Sequence, residues 1–121
     1  MSVFIAYLGY KNDFDSGEPF LSKESAVKYV MKHVHIGVYE LYNLCKELDI
    51  PEGFLDEIKI YQENVDMKPE RKEEFNETVI GLFGKFIGPV RELLELYLTE
   101  TTNPELYFWP GSIKIVEKKI N

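Results

Sequence analysis

Few residues in this chain can do acid–base or nucleophilic chemistry near neutral pH: two histidines, His33 and His35, and one cysteine, Cys45. Two imidazoles act on one metal or one proton only if both rings reach the same point. The apolar pattern around them predicts a helix, where residues two apart point about 200° from each other, so packing or surface roles are expected. Only in an extended segment would the two share a face. His35 falls on a flank with Met31, Tyr39 and Tyr42. That flank supplies an alternative reading, a small enzyme or ligand-binding domain using His35, Tyr39 and Tyr42.

Cys45 sits on the apolar stripe of the same helix, away from both imidazoles, and is expected to be a buried, inert thiol. Ser16, Ser22, Ser25 and Ser112 lack a nucleophile-elbow setting, and no glycine-rich phosphate loop follows a strand. Asp13-x-Asp15-x-Gly17-Glu18 places acids as a calcium loop would, but its glycine and remaining ligands are out of position, so a solvated turn is expected. No catalytic residue, metal site or cofactor is therefore expected, and the chain is not read as an enzyme.

Carboxylates are abundant, and their distribution is the stronger signal. Residues 47–77 hold 11 Asp and Glu against 4 Lys and Arg, whereas the segments before and after each hold 5 acids and 5 bases. The whole net charge of −7 is thus confined to one stretch. Such a block suits docking to a positive partner.

These residues must be positioned by a folded unit. A chain of 121 residues, 45% hydrophobic and with 8 Phe and 8 Tyr, has the size and apolar content of one globular domain spanning residues 1–121. Residues 2–9 are β-branched and aromatic and read as a buried strand. From an N-cap at Ser22, the recurrence of Val27, Val30, Val34, Val38, Leu41, Cys45 and Leu48 predicts one long helix, bent at most at Gly37. Phe54, Leu55, Ile58, Tyr61 and Val65 predict a second, with Glu52, Asp56, Lys59, Glu63 and Asp66 on its wet side.

A third helix starts at Pro69 or Glu70, buries Phe75, Val79, Leu82, Phe83 and Phe86, and stops or kinks at Gly88-Pro89. A fourth runs from Pro89 to about Thr101 over Val90, Leu93, Leu94, Tyr97 and Leu98. Residues 105–109 and 112–117 read as strands, with Pro110-Gly111 in the middle of a type II turn. The expected fold is α+β: four helices packed on a small antiparallel sheet made of the N-terminal strand and a C-terminal hairpin, in the order β-α-α-α-α-β-β.

On the third helix Glu70, Glu73, Glu74 and Glu77 form one stripe, and Gly81, Gly84 and Gly88 continue it. Each glycine inside a helix costs about 0.5–1 kcal/mol relative to alanine, so something should offset three of them. Either another helix of the same domain packs closely there or the segment is irregular, or else the strip lets a partner's backbone approach while the glutamates attract its Lys and Arg. The candidate partner-binding surface is accordingly Glu52, Asp56, Glu63, Asp66, Glu70, Glu73, Glu74, Glu77, Gly81 and Gly84.

Composition narrows the partner. The basic residues cluster only at Lys118 and Lys119, with Lys114 nearby, which weighs against direct nucleic-acid binding. The most apolar stretch, residues 78–90, is too short to span a bilayer, and its acidic flank disfavours anionic lipid, so no membrane role is expected. A single cysteine precludes an internal disulfide, and no signal-peptide pattern opens the chain; a soluble cytoplasmic protein is expected.

The leading expectation is an acidic inhibitor of immunity or antitoxin type that neutralises a basic toxin domain, such as a nuclease, by electrostatic docking. A phage-type anti-defence or nucleic-acid-mimic protein and a secretion chaperone share that charge logic, and the apolar surplus also allows a homo-oligomer.

Overall fold

The computed structural model describes residues 1–11, 13–66 and 77–120. It is an α+β fold in which four helices cover an antiparallel sheet, in the expected order apart from two short extra strands. The elements are β1 (Ser2–Tyr10), β2 (Asp13–Phe14), β3 (Glu18–Phe20), α1 (Lys23–His33), α2 (Val38–Glu47), α3 (Glu52–Asp66), α4 (Glu77–Glu100), β4 (Glu105–Phe108) and β5 (Gly111–Lys119). The strand order is β2-β1-β5-β4, with β3 also pairing β1, so β1 is flanked on both sides.

Alternation along the strands sends Phe4, Ala6, Leu8, Leu106, Phe108, Ile113 and Ile115 to one face. There they join the apolar residues of the helices in one core. Helix α1 packs on β1 and β3, α2 on β4, and α3 and α4 on each other. On the opposite face the chain entering β3 crosses at Gly17, whose φ of +82° suits glycine and whose absent Cβ leaves room for Tyr7 and Ile5.

Four elements depart from the sequence expectation. The long helix of residues 22–48 is two helices separated by residues 34–37. Its apolar spacing runs through the gap in phase, but a continuous helix would turn Ile36 off that stripe. The break buries Ile36 to 8% exposure. Gly37 then caps α2, where a Cβ would lie 2.9 Å from Oε2 of Glu40 and 3.4 Å from Nε2 of His35. The N-cap of α1 is as expected, with Ser22 Oγ accepting from the Ser25 amide at 3.1 Å.

The stop expected at Gly88-Pro89 does not occur, and α4 runs through it. Gly88 has no Cβ to meet the proline ring, which relieves part of the usual clash with the preceding residue. Val79, Phe86, Val90, Leu94 and Leu98 are each at most 1% exposed. Burying each such side chain is worth about 1.5–3 kcal/mol, and together they outweigh the roughly 3 kcal/mol that a proline costs inside a helix. Lys23 supplies the cation that α4 lacks in its own last turn, donating to Thr99 O at 2.9 Å and Thr101 O at 2.5 Å.

The loop expected as a solvated turn at residues 11–19 instead adds β2 and β3 to β1. Finally, Phe108 pairs with Gly111, so Trp109-Pro110 forms the middle of the hairpin turn rather than Pro110-Gly111, and the Trp109–Pro110 peptide is cis.

Candidate functional site

The acidic candidates divide by what is described. Glu52, Asp56 and Glu63 are exposed on α3, and Glu77, Gly81 and Gly84 are exposed on α4. Asp66 closes α3, but its side chain is outside the described ones; Glu70, Glu73 and Glu74, with the expected start of the third helix and Phe75, lie outside the described residues.

Among the described residues neither intramolecular account of the glycine strip is met. A Cβ placed on Gly81, Gly84 or Gly88 meets nothing within 4 Å, and the helix carrying them is unbroken. No other described part of the chain packs against the strip.

Both bases of α4 are engaged within the molecule. Lys85 Nζ lies 2.6 Å from Glu57 Oε1 on α3, and the half-buried Arg91 donates to the carbonyl of Met31 at the end of α1. The outer face of α4 is left to Glu77, the glycines, Glu92 and Glu95.

Beside this face lies a feature that charge counting misses, an apolar trough that α4 forms with α3 and with the end of α2. One cavity of about 290 Å³ is lined by Ile50, Pro51, Phe54, Ile58, Phe86, Pro89, Val90, Glu92, Leu93 and Leu96. A second, of about 250 Å³, shares Leu93 and Leu96 and continues past Glu47, Leu48, Asp49, Tyr97, Glu100 and Thr101. Among the described residues, every charged one lining either cavity is an acid: Glu47, Asp49, Glu92 and Glu100. Leu96 is 52% exposed at their junction. An apolar floor with an acidic rim can seat an apolar side chain flanked by Lys or Arg.

No family model matches this chain, and neither a curated protein nor a solved structure does. Its function must be argued from its own residues.

The remaining candidates of the sequence are placed as follows. Cys45 is buried as expected, and desolvation pushes its thiol from 9.0 up to about 11, leaving negligible thiolate at neutral pH. Tyr61 is fully buried and donates to Val38 O at 2.6 Å; burial raises its phenol strongly.

His33 ends α1 and His35 stands in the connector, where Val34 is extended (φ −65°, ψ 132°). The two imidazoles therefore do not diverge as on a helix. Both line one cleft with Leu8, Gly9, Tyr10, Asp13, Phe14, Asp15, Val34 and Ser112. Tyr39 and Tyr42, the expected companions of His35, are half-buried on α2 and do not line this cleft. Among the described residues no three His, Cys, Asp or Glu side chains are grouped so as to hold a metal ion.

Proposed function

We propose that this chain is a small acidic protein-binding inhibitor of immunity or antitoxin type, which neutralises a basic toxin domain by docking through α3 and α4. The observation that carries the reading is the apolar trough that α4 forms with α3 and with the end of α2, whose charged residues among those described are all acids: Glu92 on the α3 side and Glu47, Asp49 and Glu100 toward α2. The occupant this chemistry fits is a basic protein surface offering an apolar side chain between lysines or arginines. Glu52, Asp56, Glu63 and Glu77 extend the negative field beyond the trough and steer encounter, which electrostatics accelerates strongly at low salt.

The protein acts by occupying its partner's surface, not by catalysis. No helix among the described residues is long and apolar enough to cross a membrane. The lone, buried thiol suits a reducing compartment, and we place the protein in the cytoplasm.

The test is capture from the native cell across a salt series, followed by charge reversal on the purified pair. The reading requires a basic partner that is released as salt rises. It also requires release by the Glu52→Lys/Asp56→Lys double variant at an unchanged thermal midpoint. A neutral or acidic partner, or binding indifferent to salt, rejects it.

A further inference from the structure

At the opposite end of the molecule, where β1 and β2 meet the connector between α1 and α2, lies a cleft of about 470 Å³. That volume is within the range of about 300–1,000 Å³ usual for small-molecule sites. Its polar lining comes from distant parts of the chain: Asp13 and Asp15 from β2 and the residue after it, His33 and His35 from the end of α1 and the connector. Among the described residues no lysine or arginine lines it, and its apolar walls include Phe14 and Tyr10.

Several contacts hold this lining in place. Asp15 Oδ1 accepts from the amides of Leu8 and Gly17, both at 3.2 Å. The ring of His33 stacks on Tyr29 with centroids 4.6 Å apart, and Tyr29 in turn lies 5.2 Å from Phe20 on β3. His35 crowds with the buried Glu40 around the missing Cβ of Gly37. The lining also includes Ser112, which is 3% exposed and whose hydroxyl has no hydrogen-bond partner among the described residues.

The geometry points to a binding site for a small organic cation, an amine with an apolar body. Carboxylates with no base among the described lining residues select positive charge, and their failure to converge with the imidazoles disfavours a bare metal ion. Lys11, the nearest base, is not among the lining residues, and its Nζ is held 5.7 Å from the ring centroid of Tyr10. A ligand ammonium sits against Asp13, while the apolar body lies along Leu8 and Tyr10, which share that face of the sheet.

Titration of the full chain with tyramine, followed by amide NMR shifts, tests this, with 4-hydroxyphenylacetate as a probe of similar shape and opposite charge. Tyramine is expected to shift Gly9, Ser112 and residues 33–35. Asp13→Asn is expected to weaken it about tenfold, the loss typical of one charge-assisted hydrogen bond. Because Asp15 also holds two backbone amides, Asp13 is the informative substitution. Equal or stronger binding of the carboxylate overturns the proposal, as does the absence of tyramine binding. Tyramine shifts confined to Ile50, Leu93 and Leu96 overturn it too, and leave the proposed docking at that trough untouched.

Discussion

The glycines at the sheet end and those on α4 have opposite surroundings. At Gly9 a Cβ would lie 2.0 Å from Ser112 Oγ and 3.2 Å from both Asp13 O and Phe14 Cδ1; at Gly111 it would meet the ring of Phe108 at 2.5 Å. Gly81 and Gly84 face open space. The first pair is required by the protein's own packing. The second pair lowers helix propensity with no return from packing against the described residues, as the proposed docking strip requires.

The contrast can be broken by substitution, beginning with the residue that anchors the open region. Phe86→Ala, beneath the trough and edge-on to Phe54 at 5.9 Å, is expected to lose about 3–5 kcal/mol in chemical denaturation. Gly9→Ala should lose about 1–3 kcal/mol by overpacking. Part of that loss should return in a Ser112→Gly background, because the nearest obstruction is then gone; a double-mutant cycle measures the coupling. Ser112→Ala alone should stabilise by about 1 kcal/mol, since it removes a buried hydroxyl with no partner among the described residues.

Gly81→Ala and Gly84→Ala should each stabilise the free protein by about 0.5–1 kcal/mol, seen as a raised thermal midpoint. If a partner's backbone seats on the strip, the doubly substituted protein binds it more weakly while melting higher. Stabilisation with unchanged binding would leave the strip without a role in docking.

A pH titration tests the interior behind both regions. The thiol of Cys45 is raised in the fold from 9.0 to about 11. Above the unfolded value the unfolded chain releases that proton first, so stability is full below pH 9 and falls as pH rises toward 11. Cys45→Ala should flatten that decline without abolishing it, since Tyr61 is raised for the same reason.

Much of this architecture was legible locally. The strand pattern of residues 2–9, the Ser22 cap and the C-terminal hairpin, though not the residues at the middle of its turn, are signals carried within a few residues. The gap at residues 34–37 was hidden because Val34 and Val38 keep helical spacing across it, and only burial of Ile36 reveals the gain. Continuity through Pro89 was hidden for the converse reason, a local stop signal overruled by a long buried stripe. The surface acids were legible as charge, but the trough beside them depends on how α3 lies along α4. Least legible was the cleft: His33 and His35 come together because the connector is extended, and Asp13 and Asp15 join them because β2 folds back on β1.

The pairing of β1 with β5 has a consequence for how the chain is made. Ser2 is opposite Lys119, and the Ile120 amide donates to Met1 O at 2.8 Å. During synthesis β1 emerges well before β5 and can pair first with β2 and β3, which follow it closely. Its other edge must wait, exposed, until β5 leaves the ribosome. Such distant pairing slows folding and leaves an open strand edge as the vulnerable stage of biogenesis.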